Sequence, residues 1–449
     1  MIEKLIIAFY FIRTRFVYKF RTRKKIEDYQ KRGIKKHIDF LKRNSEFYKK
    51  DGLVSLPNKS GDSKPLNLKE KPIVDGLENF VIMNKEKMMD NFDRLSTVGI
   101  KKEEAFSIAL NGERSRDFRD KINSITVGMS SGTSGNRGLF IASKKERAMW
   151  AGFILAKGLP KGRIFNSKIA FFLRANSNLY ETINSNLIKF KYFDIYSNMS
   201  ENIETLDKYK PTILVAPPSV LIQLADAVGD KRLNINPAKI ISVAEVLEEK
   251  DEKYIKKAFN KEIIHQIYQC TEGLLAMTCE FGNLHVNEEL VYIEKEIIEG
   301  NRFVPIITDY VRRSQPIVRY RLNDILIESK RKCKCGSSFM ILEKIEGRED
   351  DVFICNSKDN SDEVTVFSDF IRRCFFHVNE VRNYRVVQEK KEEITVYIDM
   401  MEDNCKAKIV KEFEKLSKDL NFIMPTINFE KYSFDNSRKL KRVEGKIGD

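Results

Sequence analysis

Three glycines and four hydroxyl-bearing residues stand together in the stretch SSGTSGNRG, residues 130–138. The apolar, β-branched run SITVGM (124–129) precedes it, so the stretch should form a loop after a strand. A flexible loop of this kind can wrap backbone N–H groups and hydroxyls around phosphate oxygens. No Gly-Lys-Ser/Thr ends it at the Walker spacing. The stretch therefore predicts a phosphate-binding loop of another type, with an ordinary turn as the alternative.

Two further motifs supply groups that a bound nucleotide needs. In IYQCTEG (267–273), Thr271 and Glu272 end an apolar, strand-like run. A hydroxyl beside a carboxylate suits a site that holds a phosphate and its Mg²⁺. In PIVRYRLNDI (316–325), Asp324 follows an Arg-rich segment and could accept both hydroxyls of a ribose. The sequence therefore predicts a nucleotide site assembled from separate parts of the chain.

A separate group of cysteine and histidine residues could bind a metal ion. Five residues separate Cys279 from His285, and Cys333 and Cys335 flank a single residue before Gly336. Two cysteines one residue apart can direct both sulfurs at one metal ion, and three thiolates with one imidazole are a common structural zinc set. Four protein ligands would leave no open position, so the zinc would be structural. Ordinary cytosolic thiols and a surface histidine are the alternative.

The elements that must position these groups alternate between strand and helix over residues 121–345. β-rich runs such as KIAFFL, PTILVAP and KIISVAEV are separated by stretches with helical periodicity, for example Pro218 to Val228. This alternation is typical of βα units and a mostly parallel sheet. From about Gly347, a helix over TVFSDFIRRCFFHV, a charged hairpin and another helix follow, which predicts a small α+β domain.

A chain of 449 residues is long enough for two or three domains. We predict an α/β fold, with a large N-terminal α/β domain of mostly parallel sheets and a small, mobile C-terminal α+β domain. The predicted divisions are an N-terminal helical segment of the large domain over 1–80, the large domain over 81–346 and the small domain over 347–449.

The first 25 residues combine an apolar helix face with a basic flank. The apolar residues recur at three- and four-residue steps, and they are Ile2, Leu5, Ile6, Phe9, Ile12, Phe16 and Phe20. The face predicts either a helix packed on its own domain or a peripheral contact with a membrane or an acidic partner. We favour packing, because helices that pack on a core far outnumber interfacial ones.

Charge and composition narrow the class of protein. The formal net charge is +15, and 17 Lys/Arg against 6 Asp/Glu place +11 of it within residues 1–60. The remainder is nearly balanced and carries no nucleic-acid-binding signature, so we expect no nucleic-acid partner. No apolar run reaches the roughly 20 residues that span a bilayer, and the first residues do not resemble a signal peptide. Seven irregularly spaced cysteines do not suggest a disulfide framework, so the predicted location is the cytoplasm.

The order of these motifs resembles the adenylate-forming superfamily of acyl-CoA synthetases, luciferase-like enzymes and peptide-synthetase adenylation domains. Within this superfamily, the sequence most resembles the branch that contains phenylacetate–CoA ligases and the related enzymes that adenylylate a deazaflavin coenzyme. The resemblance runs from about Ser124 to the C-terminus, near three quarters of the chain. Four motifs in the family's order, at plausible spacings, carry it.

The resemblance implies a role for each matching residue in the large domain. The phosphate loop would consist of Ser130, Ser131, Gly132, Thr133, Ser134 and Gly135. Ala244 and Glu245 would line the adenine pocket, and Tyr268 would stack on adenine. Thr271 and Glu272 would be the phosphate and metal pair, with Glu272 as the Mg²⁺ ligand.

The resemblance extends into the C-terminal part of the chain. Asp324 would bind the ribose, and Arg348 would be a second nucleotide contact. Asp350 would be the hinge about which the small domain turns. In SRKLKRVEGKI, Lys439 stands in the family's Lys-x-Lys-Arg-Val context and would be the catalytic lysine, although Arg438 precedes it where relatives carry glycine. Lys446 follows a glycine and is the alternative.

The implied activity is ATP-dependent activation of a small carboxylic acid to an acyl-adenylate, with release of pyrophosphate and with Mg²⁺ offsetting phosphate charge. The acyl group would then pass to CoA or to the thiol of an acyl carrier protein. Adenylyl transfer to a hydroxyl of a small molecule, or a catalytically degenerate nucleotide-binding or interaction protein, are the alternatives. Gln269 stands where relatives carry glycine, which favours the degenerate alternative. The intact residues Thr271, Glu272 and Asp324 oppose it.

Overall fold

The structure is a computed structural model of the chain. It describes residues 2–18, 20–50, 67–68, 71–117, 121–130, 137–162, 166–174, 184, 188–359, 363–376, 378, 380–433 and 440–447. The chain forms two compact units. The first comprises Met1–Leu322 and Ile327–Glu343, and the second comprises Asn323–Leu326 and Lys344–Asp449. The predicted domain limits at residues 80 and 346 stay predictions.

Local chemistry explains where helices begin. Helix Lys144–Gly158 starts with a capping box, in which the Ser143 hydroxyl and the Glu146 carboxylate accept each other's backbone N–H. Pro218 occupies the first turn of helix Pro218–Gly229, where its missing N–H is not needed. The other described α-helices are Ile2–Ile12, Arg23–Asn44, Glu46–Lys50, Lys85–Asp90, Phe92–Leu95, Lys102–Ser115, Met199–Tyr209, Glu249–Phe259, Ser368–Arg373 and Asp403–Asp419. None of the helices within the described ranges is long and apolar enough to cross a membrane.

The strands are numbered in chain order. In the described residues they are β1 Lys121–Ile122, β2 Ile125–Met129, β3 Leu139–Ala142, β4 Ser167–Leu173, β5 Ile188–Asp194, β6 Ile213–Ala216, β7 Lys239–Val243, β8 His265–Cys270, β9 Gly273–Thr278, β10 Leu284–Val286, β11 Val291–Glu299, β12 Arg302–Asp309, β13 Ile317–Arg321, β14 Asp324–Ser329, β15 Ile341–Arg348, β16 Phe353–Asn356, β17 Glu363–Val366, β18 Tyr384–Lys390, β19 Glu393–Ile398, β20 Thr426–Lys431 and β21 Val443–Gly445. The predicted run KIAFFL lies within β4, and PTILVAP and KIISVAEV contain β6 and β7, which confirms all three as strands.

The central sheet has a parallel part and an antiparallel part. Strands β5, β4, β6, β7 and β8 lie side by side in that order and pair in parallel. Every residue of β6, Ile-Leu-Val-Ala, is buried, as expected for a parallel strand with both faces covered. Beyond β8, the pairs β8/β9, β9/β10, β10/β15, β11/β12 and β12/β13 are antiparallel.

The α/β class is confirmed, and the parallel run β4–β8 of the central sheet lies within residues 167–270. After Cys270 the chain turns back within two residues, and so short a turn can reach only an antiparallel neighbour. Sequence alternation does not reveal this change, because hairpin strands and βα strands carry similar apolar runs.

The second unit has an α+β composition and its own core. Its four-stranded sheet runs β20-β19-β18-β21, and the predicted charged hairpin is β18–β19. The predicted last helix is confirmed as Asp403–Asp419, which buries Ile409 and Phe413. The helix predicted over TVFSDFIRRCFFHV is shorter than expected and spans only Ser368–Arg373. The two valines before it belong to β17, because the consecutive β-branched residues Val364–Val366 favour a strand.

The N-terminal helix packs through a different side from the predicted one. Helix Ile2–Ile12 lies against helix Lys144–Gly158, and Gly152 permits the close approach, since a Cβ there would lie 2.7 Å from the carbonyl oxygen of Ile7. Most of the predicted packing face is exposed, namely Ile2, Leu5, Phe9, Ile12 and Phe16. The predicted choice of face is therefore wrong, because periodicity defines an apolar side of a helix but not what that side contacts.

Candidate active site and metal cluster

The carboxyl ends of parallel strands meet at one edge of a sheet, which is where open α/β sheets bind ligands. Arg174 follows β4, Ala244 and Glu245 follow β7, and Thr271 and Glu272 follow β8. Because β4, β6, β7 and β8 are consecutive parallel neighbours, these residues lie along the same edge. The structure thus brings together the two pairs predicted to line the adenine pocket and to hold phosphate and metal.

The Glu245 side chain connects residues that follow different strands at this edge of the sheet. Its buried carboxylate accepts the N–H of Ser219 at 3.2 Å and lies 3.6 Å from the Arg174 guanidinium. Ser219 is in the first turn of helix Pro218–Gly229, whose N-terminal N–H groups attract negative charge. Ala244 has a φ of +67°, a left-handed conformation that costs a non-glycine residue about 1–2 kcal/mol. Strain of this kind clusters at functional sites.

Thr271 and Glu272 form the two-residue turn between β8 and β9, where Cys270 pairs with Gly273. Arg312 anchors the turn by donating to the carbonyl oxygen of Thr271 at 2.7 Å. The Glu272 side chain is partly exposed and has no hydrogen bond or ion pair within the described part of the chain. A carboxylate at the tip of an anchored turn is available to bind a cation.

The anchoring residue Arg312 belongs to a network that sequence reasoning missed. Its guanidinium also donates to the side-chain oxygen of Gln315. The Gln315 amide donates to the carbonyl oxygen of Leu139 at 3.0 Å, and its oxygen accepts the N–H of Ile141 at 3.2 Å. Both of these residues belong to β3. The Thr271–Glu272 turn is therefore connected to the hairpin that carries the glycine-rich stretch.

Two carboxylates, those of the buried Asp309 and the partly buried Glu146, order the segment around Arg312. Asp309 accepts two backbone N–H groups, and burial raises the pKa of its carboxyl to about 6. Glu146 accepts the N–H groups of Arg313 and Ser314. Burial opposes the ionisation of Glu146, but hydrogen bonds from Ser143 and Ser314 outweigh it and lower the pKa of that carboxyl. The Ser-x-x-Glu capping pattern could have marked Glu146, whereas no sequence signal relates it to a segment 167 residues away.

The glycine-rich loop is described only at its two ends. The predicted loop residues Ser131, Gly132, Thr133, Ser134 and Gly135 lie outside the described residues. Ser130 closes the base of the loop, since its N–H donates to the Gly138 carbonyl at 2.7 Å and its hydroxyl accepts the Gly138 N–H at 2.8 Å. Arg137 donates to both carboxylate oxygens of Glu113. Arg137, near the end of the stretch, is thus tied to helix Lys102–Ser115.

Tyr268, the predicted adenine-stacking residue, is buried in β8 and lies beside a register shift between β8 and β9. Gln269, which replaces the family's glycine, accepts the indole N–H of Trp150 at 3.3 Å. Gln269 therefore joins the end of β8 to helix Lys144–Gly158, a contact that a glycine could not make. This structural use accounts for the substitution without any loss of the neighbouring Thr271–Glu272 turn.

The second unit contains the other predicted nucleotide contacts. Asp324 begins β14 and Arg348 ends β15, and their side chains approach to 3.8 Å. The backbone of Asp350, the predicted hinge residue, lies in the short 3-10 turn after β15, and its side chain is outside the described set. The adjacent Asp351 is paired with Lys441 at 2.7 Å.

The two candidate catalytic lysines differ in what the structure describes. Lys439 lies outside the described residues. Lys446 follows β21, which pairs in parallel with β18, and its ammonium donates to the carboxylate of Glu389 at 2.9 Å. The alternative lysine is thus held in an exposed ion pair on the sheet of the second unit.

Cys279, His285, Cys333 and Cys335 come together in the first unit, with their ligand atoms all within 4.8 Å of one another. The sulfurs of Cys279 and Cys333 are 3.6 Å apart, and the sulfur of Cys335 lies 3.5 Å from Nε2 of His285. Tetrahedral zinc, with Zn–S near 2.3 Å and Zn–N near 2.0–2.1 Å, places two sulfurs about 3.8 Å apart and sulfur and nitrogen about 3.6 Å apart. The four residues therefore fit a tetrahedral metal ion.

Hydrogen bonds orient the ligands of this cluster. Nδ1 of His285 is 3.2 Å from the carbonyl oxygen of Phe339, which directs Nε2 toward the sulfurs. The backbone N–H groups of Phe281, Cys335 and Ser337 point at the sulfurs of Cys279, Cys333 and Cys335, respectively. Burial and the neighbouring thiols raise the pKa of Cys335 to about 12. A bound cation would have to displace this proton, so metal affinity should fall in acid.

Two curated relatives are similar in sequence, and no protein-family model matches the chain. Protein CapK of Staphylococcus aureus is 24% identical over 412 residues, which cover 91% of this chain and 85% of CapK. Indoleacetate–lysine synthetase of Pseudomonas savastanoi is 27% identical over 213 residues, which cover 46% of this chain and 51% of that enzyme.

A solved structure decides the fold. 2-Hydroxyisobutyryl-CoA ligase, in its postadenylation state with 2-HIB-AMP, matches with a TM-score of 0.66 at 14% identity, over 94% of this chain and 89% of the ligase. The chain has the fold of the adenylate-forming ligases. The predicted resemblance to this superfamily is confirmed at the level of the fold. In this fold, Ala244 and Glu245 follow β7, and Thr271 and Glu272 follow β8, while their roles in nucleotide binding stay predictions.

Proposed function

We propose that this protein is an ATP-dependent adenylate-forming ligase, which activates a small carboxylic acid as an acyl-adenylate and then transfers the acyl group to CoA or a carrier-protein thiol. One observation carries the proposal: the Thr271–Glu272 turn is anchored at the carboxyl edge of the parallel strands, in a chain with this fold. A solved structure of 2-hydroxyisobutyryl-CoA ligase with both 2-HIB-AMP and CoA supports a thiol acceptor.

In the first half-reaction the ionised carboxylate attacks the α-phosphorus of ATP, the new oxygen–phosphorus bond forms, and the bond to pyrophosphate breaks. No general base is needed, because a carboxylic acid is already ionised at neutral pH. Glu272 would hold Mg²⁺, which offsets negative charge on the phosphates. The Thr271 hydroxyl and the loop that begins at Ser130 would donate to phosphate oxygens.

The remaining predicted residues would hold the nucleoside. Tyr268 would stack on the adenine, and Ala244 with Glu245 would border it. Asp324 would accept the ribose hydroxyls, and Arg348 would be a second nucleotide contact. These assignments come from the family resemblance, and the 3.8 Å approach of Asp324 and Arg348 is compatible with both facing one ligand.

ATP–pyrophosphate exchange across a panel of carboxylic acids tests the proposal. We expect Mg²⁺-dependent exchange with at least one acid, because the first half-reaction is reversible in this chemistry. Nucleotide binding by calorimetry without exchange for any acid would contradict the proposal and favour the degenerate alternative. Exchange that requires no acid but a hydroxyl compound would favour adenylyl transfer.

An amine is a second candidate acceptor. The match to indoleacetate–lysine synthetase, whose name joins an acid to an amino acid, favours this class. Incubation of the acyl-adenylate with CoA, with a phosphopantetheinylated carrier protein or with lysine, followed by mass spectrometry, distinguishes a thioester from an amide. The acceptor that consumes the adenylate fastest identifies the second half-reaction.

Arg312→Gln should slow pyrophosphate exchange by about tenfold, because the Thr271 carbonyl would lose its donor and the turn its anchor. Arg313→Gln is the matched control, since this neighbouring guanidinium lies over the Phe40 ring, 4.6 Å from its centroid. Exchange rates of both variants are measured alongside their melting curves. Equal rates would mean that other contacts hold the turn.

The cysteine–histidine cluster is the second part of the proposal. We propose that it binds one structural Zn²⁺, which would join the β9–β10 hairpin to the loop before β15. Elemental analysis of protein purified without chelator should find about one zinc per chain. Cys333→Ser should lose the metal and several degrees of melting temperature, while pyrophosphate exchange by the folded variant changes little.

Cys270→Ser is the control for this prediction, because Cys270 is a partly buried thiol outside the cluster. It should retain the metal. Wild-type protein without stoichiometric metal, at neutral pH and without chelator, would contradict the zinc assignment.

A further inference from the structure

The segment from Ile2 to Val17 presents a ridge of apolar side chains to solvent. Its members are Ile2, Leu5, Phe9, Ile12 and Phe16, each between 52% and 74% exposed. They recur at three- and four-residue steps, so they lie on one side of helix Ile2–Ile12 and of the π-helical turn that continues it. Folded proteins rarely leave a contiguous apolar patch of this kind in water unless it binds something.

The rest of the segment is firmly attached, so the ridge is not the result of a loosely placed helix. Gly152 of helix Lys144–Gly158 lets the backbone of Ile7 approach closely. The Arg15 guanidinium donates to three carbonyl oxygens at the end of the same helix, those of Ala156, Leu159 and Pro160, at 2.7–2.8 Å. The ridge therefore faces away from a side that is already packed.

Positive charge accompanies the ridge. Exposed basic residues near it in the chain are Lys4, Arg21, Lys24 and Lys25. Glu3, the sole acidic residue among the first 26, lies on the packed side, 3.7 Å from Lys144 and 3.9 Å from Arg147. The exposed surface of the segment thus combines apolar side chains with cations and, among the described residues up to 26, no exposed carboxylate.

We propose that this ridge docks the protein on an anionic lipid membrane, with helix Ile2–Ile12 lying in the plane of the surface. Phe9 and Phe16 would enter the boundary between headgroups and acyl chains, and the basic residues would face lipid phosphates. A second copy of this chain would bring two cationic segments together, which opposes pairing through the ridge. An acidic protein would pair with the basic residues, but its charged surface would leave the apolar side chains of the ridge unburied.

Co-sedimentation with vesicles tests the proposal. We expect binding to phosphatidylglycerol–phosphatidylcholine vesicles, and about tenfold weaker binding to pure phosphatidylcholine or at high salt. The double variant Phe9→Ser/Phe16→Ser should bind anionic vesicles about tenfold or more weakly. Leu110→Ser/Ile423→Ser, which removes two exposed aliphatic side chains elsewhere, is the matched control and should bind normally.

Charge is tested separately within one helix. Lys24→Glu/Lys25→Glu should weaken vesicle binding, whereas Lys42→Glu/Arg43→Glu makes the same charge change at the other end of helix Arg23–Asn44. The two sites are about 27 Å apart along the helix, beyond the Debye length of about 8 Å at physiological salt, so the second pair should have less effect. If melting curves show that the phenylalanine variant does not fold, the comparison of Lys24→Glu/Lys25→Glu with Lys42→Glu/Arg43→Glu tests the proposal.

Three results would overturn the proposal. The first is wild-type protein that does not sediment with anionic vesicles. The second is vesicle binding that is equal for the ridge variant and its control. The third is a wild-type dimer, seen by analytical ultracentrifugation, that the ridge variant abolishes, because the ridge would then be an interface between copies.

Discussion

Glu272→Gln should reduce ATP–pyrophosphate exchange by about a hundredfold or more while leaving the fold intact. Glutamine keeps the shape of the side chain at the tip of the turn but removes the charge that would bind Mg²⁺. The turn itself stays anchored by the bond from Arg312 to the Thr271 carbonyl, so no loss of stability is expected. Exchange is measured over a range of Mg²⁺ concentrations. The difference in rate between the wild type and the variant should become smaller as the Mg²⁺ concentration rises.

Glu262→Gln is the matched control for this change. Glu262 is exposed and precedes β8 at its amino end, whereas Glu272 follows the carboxyl end of the same strand. A strand of this length spans about 20 Å, so the same chemical change occurs far from the proposed metal position. Glu262→Gln should exchange at the wild-type rate. A Glu272→Gln rate within a few-fold of wild type would remove Glu272 from the metal site.

Lys439→Ala should suppress adenylate formation by about 10²–10³-fold, because removal of one donor to a developing negative charge typically costs about 3–4 kcal/mol. The prediction rests on the family resemblance, in which the small domain delivers this lysine to the α-phosphate. The variant should still consume a pre-made acyl-adenylate with its acceptor, since the lysine would be withdrawn in the second step. Asp350→Pro should do the reverse, because proline restricts the φ of the proposed hinge.

Lys446→Ala is the control within the same tail. The Lys446 ammonium is paired with Glu389 on the surface of the second unit, and exposed ion pairs of this kind contribute little to stability. The variant should therefore adenylate at nearly the wild-type rate. Loss of adenylation in Lys446→Ala but not in Lys439→Ala would shift the alignment of the tail by seven residues. Normal adenylate formation by both Lys439→Ala and Lys446→Ala would contradict the proposal that the small domain delivers a lysine to the α-phosphate.

Several elements could be predicted because their information is local. The runs around β4, β6 and β7 are apolar and β-branched over strand length, and the predicted hairpin β18–β19 and helix Asp403–Asp419 follow equally clear periodicities. The shortened helix Ser368–Arg373 shows the limit of this reasoning. Its N-terminal neighbours Val364 and Val366 pair instead with β16, the preceding strand, a pairing that a helical pattern over TVFSDFIRRCFFHV does not reveal.

The sequence by itself determined which chemistry the chain carries: hydroxyls and a carboxylate at strand ends, and three thiols with one imidazole. It also determined their order, which is what the resemblance to adenylate-forming enzymes depends on. Only the tertiary structure brought the sulfurs of Cys279 and Cys333 to 3.6 Å and connected Arg312 to the Thr271 carbonyl. It also turned the apolar side of the first helix toward solvent. The physical reason is that periodicity records the side on which a residue lies, whereas contacts between residues far apart in the chain decide what that side meets.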